Sequence, residues 1–228
     1  MKAPFIGRAL SVAVMVGLVL WWGVRIVSGR PAEPKGPFPN PAVDARLAPQ
    51  EGHATAVFAG GCFWGVQGVF EHVKGVRGVV AGYAGGNVEN PYYDLVSTGS
   101  TGHAESVEVE YDPSQVSYGT LLKVFFSVAH DPTQKNRQGP DVGTQYRSAI
   151  FYQTEEQKKI TEAYIAQINA ARVYDRAIAT RVTPYTAFYA AEDYHQDYLE
   201  KHPDNAYIRY NDRPKLAKLK SVYPELYR

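Results

Sequence analysis

The chain contains a single cysteine, Cys62, among its 228 residues, and this one thiol limits the folds that are open to it. No disulfide can form within the chain, so the class of disulfide-stapled domains is excluded, and so is a zinc site built from several cysteines. The fold must instead rest on a hydrophobic core. With 45% hydrophobic and 21% charged residues, the composition is that of an ordinary folded domain.

The first 29 residues have the pattern of an export signal. Lys2 and Arg8 precede an uncharged run over residues 9–24, and a basic stretch followed by such a run is typical of exported chains. As a helix the run would span about 24 Å, slightly short of a bilayer core of about 30 Å. No good Ala-x-Ala cleavage site follows. We therefore favour an uncleaved signal anchor over a cleaved signal peptide for residues 1–29.

A proline-rich stretch separates this segment from the remainder of the chain. Six prolines within residues 30–52 predict an extended linker with few ways to pack. Residues 1–52 carry six basic and three acidic residues (+3), which leaves 18 basic and 20 acidic residues (−2) for residues 53–228. Nucleic-acid binding needs a basic excess to neutralise phosphates, so DNA and RNA are not expected partners of this domain.

From residue 54 onward short strands alternate with helices. Strands are predicted over residues 54–59, 76–83, 104–111, 146–152 and 178–182. Helices are predicted over residues 62–70, 118–129, 155–171 and 190–201, with N-caps at Ser117 and Thr154. We predict one α+β domain, a two-layer α/β sandwich with a ferredoxin-like core, followed by an irregular C-terminal tail from residue 203.

Cys62 lies where the first predicted strand ends and a helix begins. Gly60 and Gly61 allow a sharp turn there, and the free N–H groups of the helix N-terminus favour a thiolate. We therefore expect a lowered pKa and a nucleophilic thiol. An inert buried cysteine is the alternative, and position alone leaves the two about even. The adjacent Phe63 and Trp64 favour an apolar pocket beside a reactive thiol.

Several short segments resemble the A-type peptide methionine sulfoxide reductases, in that family's order and over roughly residues 54–200. The segments span residues 61–65, 82–86, 90–93, 101–105, 130–134, 143–148 and 191–196. The resemblance implies an oxidoreductase that reduces the S epimer of methionine sulfoxide, both free and protein-bound. Selection of one epimer agrees with the general rule of one enzyme per sulfoxide epimer.

The resemblance makes Cys62 the nucleophile that attacks the sulfoxide sulfur and Glu105 the acid that protonates the departing oxygen. Alternation with Val107 and Val109 puts Glu105 on the inward face of its strand. Desolvation there raises the pKa of a carboxyl group and keeps it protonated. Without the motif, Glu105 would be taken for a solvated strand residue, since Glu is rarely buried.

Five further residues have implied roles in the same site. Tyr93 and Tyr146 match the family's phenols, which donate hydrogen bonds to the sulfoxide oxygen. Asp141 matches an acidic residue that lines the pocket. Phe63 and Trp64 match the apolar wall that receives the S-methyl group. Each of these residues also has an ordinary structural explanation, as a core aromatic or a turn-forming Asp.

Two histidines raise the alternative of a different thiol enzyme, a peroxidase or a Cys–His hydrolase. We interpret His103 and His195 as structural hydrogen-bonding residues rather than as a general base for Cys62. The six histidines show no metal-ligand spacing, so no metal site is expected. A third possibility is a non-enzymatic domain in which Cys62 is only structural.

Many relatives carry additional C-terminal cysteines that resolve the sulfenic acid, whereas the tail over residues 202–228 has none. We therefore expect an external thiol, thioredoxin-like or glutathione-like, to regenerate Cys62, without a bound cofactor. The expected substrates are proteins or peptides that carry methionine sulfoxide. Residues 53–228 are then a catalytic domain on the periplasmic or extracellular side of the membrane, expected to be a monomer.

Overall fold

The structure, a computed structural model, describes residues 32–228 and is built around a mixed β-sheet. Its strands are β1 (Ala54–Gly60), β2 (Val76–Ala84), β3 (Ala104–Tyr111), β4 (Arg137–Gln138), β5 (Asp141–Val142), β6 (Ser148–Tyr152), β7 (Arg181–Pro184) and β8 (Phe188–Ala190). Six of them form one sheet in the order β7-β6-β1-β3-β2-β8, while β4 and β5 pair as a short hairpin.

The helices lie between and after these strands. They are α1 (Phe63–Glu71), α2 (Tyr93–Val96), α3 (Tyr118–Val124), α4 (Glu155–Ala170), α5 (Tyr198–Lys201) and α6 (Arg213–Val222). The central strands β6-β1-β3-β2 are antiparallel, with α1 connecting β1 to β2 and α3 lying between β3 and β6. This strand order and connectivity are those of the split βαβ arrangement of a ferredoxin-like core. Strand β7 adds parallel to β6, and β8 adds antiparallel to β2.

One face of the sheet carries the main hydrophobic core. Phe58 of β1 stacks on Phe70 of α1 at a centroid distance of 5.2 Å and on Phe125, directly after α3, at 5.0 Å. All three side chains are fully buried. Large aromatic side chains remove much apolar area from water, so this stack holds both helices against the sheet.

The opposite face of the sheet is covered as well. Val57, Ala59, Ala104 and Phe151 form a second, smaller buried cluster, against which Phe188 packs. Strand β3 is consequently enclosed on both sides, although its sequence alternates between apolar and polar residues. A polar side chain on this strand therefore reaches an interior rather than solvent.

The prediction of one helix over residues 190–201 is wrong. The segment comprises the end of β8, a 3₁₀ turn over Asp193–His195 and the short helix α5. Gln196 interrupts the helical path because its amide group bonds to the backbone of Ala81 on the neighbouring strand and holds an extended conformation. Asp197 follows with φ = +56°, outside the right-handed helical region.

The prediction of an irregular tail from residue 203 is also wrong. A π-helical turn over Ile208–Asp212 leads into α6, in which Pro214 occupies the first turn. Proline is well tolerated there because the first N–H groups of a helix have no partner within the helix. Leu219 is fully buried, and α6 packs against α1. The tail is therefore part of the helical layer next to the start of α1.

Residues 32–52 contain no helix or strand, as predicted for a linker, but the expectation that they have few ways to pack is wrong. The Ala32 N–H donates to Asp131 Oδ2 at 2.6 Å, and the Tyr164 hydroxyl donates to the Pro39 carbonyl at 2.6 Å. We call this ordered segment, residues 32–52, the strap.

The predicted signal anchor or signal peptide lies outside the described residues. Within residues 32–228, no helix is both long enough and apolar enough to cross a membrane.

Candidate active site

A single cavity of about 170 Å³ brings together all seven residues that the sequence singled out. Its lining comprises Cys62, Phe63, Trp64, Tyr93, Glu105, Asp141 and Tyr146, together with Tyr207, which the sequence did not single out. The residues come from the start of α1, from α2, β3 and β5, from the turn before β6 and from the C-terminal segment. Segments far apart in sequence thus converge on one thiol.

Cys62 is the N-cap residue of α1, directly after β1. Gly61 has φ = +93°, and a Cβ atom at this position would lie 2.5 Å from the side chain of Gln138. Only glycine meets both conditions, because other residues rarely adopt this backbone region and would collide with Gln138. The glycine turn therefore fixes the cysteine at the beginning of the helix.

The pKa of the Cys62 thiol is raised well above its ordinary value, so the expectation of a lowered pKa is wrong for this resting site. Burial is the main cause, and the charges of Glu105 and Asp212 add to it. The Trp64 backbone N–H and the Lys215 ammonium oppose the increase. Loss of hydration thus outweighs the helix N-terminus, because the cysteine is only 8% exposed.

Glu105 is buried beside the thiol, as the alternation along β3 predicts. Its carboxyl group is 2% exposed, and Oε2 accepts a hydrogen bond from the Phe63 backbone N–H at 3.1 Å. Burial raises the pKa of Glu105 to about 8, although the Phe63 N–H acts in the opposite direction. A carboxyl group with this pKa holds a proton at neutral pH.

The two predicted phenols are neutral donors at the same cavity. Burial raises the pKa of Tyr93 to about 12 and raises the pKa of Tyr146 as well. Glu192 positions Tyr93, since its carboxylate accepts the Tyr93 backbone N–H at 2.8 Å and the Tyr83 hydroxyl at 2.9 Å. Tyr93 is the first residue of α2, so Glu192 satisfies a free N–H group of that helix.

Tyr207 is a cavity residue that the sequence reasoning missed. Its hydroxyl donates a hydrogen bond to Asp141 Oδ2, and its ring stands edge-on to Trp64 at 6.0 Å. Burial raises the pKa of Asp141, and the hydrogen bond from Tyr207 opposes that increase. The signal that the sequence offered for this residue was a tyrosine in a C-terminal tail without cysteine.

The aromatic wall of the cavity is held by two residues behind it. The Trp64 ring stacks on Tyr198 at 3.8 Å with an interplanar angle of 10°, and its Nε1–H donates to His195 Nδ1 at 3.2 Å. His195 is therefore a hydrogen-bonding residue, as predicted. His103 instead bonds through Nε2 to the Val88 carbonyl at 2.9 Å. Neither histidine lines the cavity.

A buried ion pair lies behind the first turn of α1 and was also missed. Lys215 Nζ is 3.0 Å from Asp212 Oδ1, and the two side chains are 17% and 0% exposed. Both residues belong to the C-terminal segment that was expected to be irregular. Because the segment resemblance ends near residue 200, nothing in the sequence connected this pair to Cys62.

Comparison with known proteins agrees with this geometry. A family model described as peptide methionine sulfoxide reductase matches residues 54–226. The protein MsrA 2 of Mesorhizobium japonicum is 57% identical over 81% of this chain and 94% of its own length. MsrA 2 of Synechocystis is 53% identical over 82% and 89%, respectively.

Solved structures give the same result. Methionine sulfoxide reductase A of Corynebacterium diphtheriae has a TM-score of 0.59 and 38% identity, covering 78% of this chain and 92% of its own. Reduced Mxr1 from Saccharomyces cerevisiae has a TM-score of 0.56 and 32% identity, covering 72% and 92%. The chain is therefore an oxidoreductase of the peptide methionine sulfoxide reductase family.

Proposed function

We propose that this enzyme reduces the S epimer of methionine sulfoxide, in proteins and as the free amino acid, through a sulfenic acid on Cys62. One observation carries the proposal: the thiol of Cys62 and the protonated carboxyl of Glu105 line the same small cavity. A cavity of about 170 Å³ gives room for one side chain, and its aromatic wall suits an S-methyl group.

The first step transfers the sulfoxide oxygen to the enzyme. Tyr93 and Tyr146 donate hydrogen bonds to the oxygen, and Glu105 supplies the proton that the oxygen needs in order to leave. Protonation places positive charge on the substrate sulfur, which favours the thiolate of Cys62 beside it. The Cys62 sulfur attacks the substrate sulfur with an electron pair and forms an S–S bond. The S–O bond then breaks, the hydroxyl passes to the Cys62 sulfur, and the electron pair of the S–S bond stays on the substrate sulfur as the thioether leaves. The thiol proton restores Glu105, so thiol and sulfoxide become sulfenic acid and thioether.

An external thiol then restores the enzyme. Because Cys62 is the only cysteine, the sulfenic acid cannot form a disulfide within the chain. A thioredoxin-like or glutathione-like thiol attacks it, which releases water and leaves a mixed disulfide. A second thiol group attacks this disulfide, which frees Cys62 and yields the oxidised reductant.

A Cys–His hydrolase mechanism has no support in this geometry. Within residues 32–228, the imidazoles of His103 and His195 bond to Val88 and Trp64, not to Cys62. A hydrolase needs its base within hydrogen-bond reach of the nucleophile. The buried carboxylic acid is the group that lies beside the thiol instead.

The test uses purified protein, a racemic methyl aryl sulfoxide and dithiothreitol, with chiral analysis of the remaining substrate. We expect the S epimer to disappear while the R epimer remains. Cys62→Ser should abolish the reaction, and Glu105→Gln should depress it strongly at neutral pH and less in acid. Consumption of both epimers at one rate, or activity in Cys62→Ser, would contradict the proposal.

Mass spectrometry tests the intermediate separately. After incubation with substrate and no reductant, we expect Cys62 to gain one oxygen, about 16 Da. An intramolecular link at Cys62 would contradict the scheme.

We also propose, from the sequence of residues 1–29, that the domain is exported and held at the membrane by an uncleaved anchor. Alkaline extraction of membranes from cells that produce the full chain would test this. Retention of the full-length chain in the membrane pellet is expected. Full-length enzyme in the soluble cytoplasmic fraction would contradict the anchor.

A further inference from the structure

We propose that Lys215 and Asp212 form a positioning pair that sets the ionisation of Cys62. Lys215 supplies positive charge that stabilises the thiolate, and Asp212 holds this charge against the first turn of α1. The inference rests on the proposed function in one respect: it takes the thiolate of Cys62 as the form that attacks the sulfoxide.

The contact between the pair and α1 depends on a glycine. A Cβ atom on Gly65 would lie 2.0 Å from Asp212 Oδ1 and 2.7 Å from Lys215 Nζ. Any side chain at Gly65 would therefore displace the ion pair from the helix. Gly65 follows Cys62 by three residues, which is nearly one helical turn. The pair is thus packed against the turn that presents the thiol.

The two members of the pair differ in their surroundings. Asp212 is fully buried, and its Oδ2 atom has no hydrogen-bond partner among residues 32–228. A buried carboxylate oxygen without a donor is costly, so the site retains a feature that stability alone does not favour. Lys215 is partly exposed and lines a larger neighbouring cavity of about 700 Å³. Its ammonium group therefore keeps some hydration while it contacts the buried carboxylate.

The charges that face Cys62 come from several elements. They are the carboxyls of Glu105 on β3, Asp141 on β5 and Asp212 before α6, the phenols of Tyr93, Tyr146 and Tyr207, and the ammonium of Lys215. The phenols are neutral, and Glu105 holds its proton at neutral pH. Of the pair, Asp212 has the larger effect and raises the pKa of the thiol, whereas Lys215 has the smaller effect and lowers it.

The experiment measures the ionisation of Cys62 directly. The rate of Cys62 alkylation by iodoacetamide is followed against pH in the full chain, with Cys62→Ser as the blank. Lys215→Met should raise the pKa of Cys62 by about one unit and slow alkylation about tenfold at neutral pH. Asp212→Asn should lower the pKa by a similar amount, because the amide oxygen still accepts the Lys215 hydrogen bond while the negative charge is gone.

Lys218→Met is the matched control. Lys218 lies one turn further along α6 and pairs with Glu33 at 2.8 Å, so its loss should leave the alkylation profile of Cys62 unchanged. Lys215→Arg keeps the charge and should restore most of the wild-type profile.

If Lys215→Met fails to fold because Asp212 is left without its cation, the double variant Asp212→Asn with Lys215→Met decides. It should show a higher pKa of Cys62 than Asp212→Asn alone. If the pKa of Cys62 moved in the same direction in both single variants, or moved in neither, the proposed role of the pair would be wrong. Sulfoxide reduction by the wild type is measured separately, so the proposed function can fail while this inference stands, and the reverse.

Discussion

At the scale of single residues, the site combines an acid and a thiol that both keep their protons at rest. Burial raises the pKa of Glu105 and of Cys62, since each loses hydration in the same cavity. In the proposed mechanism the reaction then begins from a neutral pair, and charge appears only when the sulfoxide oxygen takes a proton. Burial of the two groups is suited to this because a poorly hydrated site makes each new charge interact strongly with its neighbours.

The raised pKa of Glu105 has a consequence for stability. Between pH 4.5, the ordinary value, and about 8, the folded state keeps a proton that the unfolded chain loses. The free energy of unfolding therefore falls as pH rises through this interval. Glu105→Gln removes the effect, so the variant should gain a few kcal/mol relative to wild type between pH 5 and pH 9.

Urea denaturation at the two pH values measures this difference. Glu162→Gln, on the exposed side of α4, is the control and should follow the wild type. If the free energy of unfolding fell with pH as much in Glu105→Gln as in the wild type, the raised pKa of Glu105 would be contradicted.

Tyr207→Phe should weaken substrate binding and change its pH dependence. The hydroxyl of Tyr207 lowers the pKa of Asp141, so its removal should shift the Asp141 titration upward. The bond joins two groups of the enzyme, so its loss acts by misplacing Asp141 and the cavity wall, and we expect kcat/KM for a sulfoxide to fall about tenfold. Tyr210→Phe, on the same turn and 79% exposed, should have no effect. If kcat/KM were the same in the two variants, a role for Tyr207 in the site would be contradicted.

Six of the seven expected residues could be identified because each belongs to a short segment with a recognisable pattern, and the seventh, Asp141, lies two residues before the segment over residues 143–148. Tyr207, Asp212 and Lys215 belong to no such segment. Their relation to Cys62 exists only after α6 has packed against α1, and a one-dimensional pattern does not contain that contact.

At the scale of elements, short sequence patterns predicted strands and helices well where residues nearby in the sequence determine the conformation. Strand β3 has the predicted bounds, residues 104–111. Both predicted N-caps are confirmed, because the side chains of Ser117 and Thr154 accept backbone N–H groups of α3 and α4 at 3.1 Å. The segment over residues 190–201 could not be predicted, because Gln196 forms its bonds with a distant strand.

Helix α3 has a second cap, which comes from the strap. Asp44 Oδ1 accepts the Gly119 N–H at 2.7 Å, and Oδ2 accepts the Ser117 hydroxyl at 2.6 Å. Asp44→Ala should lower the free energy of unfolding by about 1 kcal/mol, as for loss of an N-cap. Chemical denaturation measures the change. Asp175→Ala removes only an exposed ion pair with Lys35 and should cost much less. A larger loss in Asp175→Ala would contradict the capping role.

At the scale of the whole molecule, both ends of the described chain pack against helices: the strap contacts α3 and α4, and α6 contacts α1. The helical layer and the apolar composition allowed an α+β domain to be predicted from the sequence. The strap was not, because its five prolines prevent regular structure without preventing contact. Its Phe38 ring meets Tyr164 and Tyr174 edge-on, each at a centroid distance of 6.2 Å.

Phe38→Ala should therefore destabilise the whole domain. The ring is half-buried, so we expect a loss of ~2 kcal/mol, below the range for fully buried aromatic residues. Leu47→Ala, in the same strap but 55% exposed, should change the free energy of unfolding by ~0.5 kcal/mol or less. Urea denaturation of both variants distinguishes a packed strap from a loose one, for which the two costs would be equal.

Tyr207 lies in the wall of the cavity and follows Cys62 by 145 residues (207 − 62) along the chain. During synthesis, the thiol, the acid and two phenols are made long before this wall exists. A chain cut short before residue 207 would retain Cys62 without the tyrosine that completes its cavity. Evolution can also alter the rim of the site by changing this late segment, while the sheet that carries Cys62 and Glu105 stays as it is.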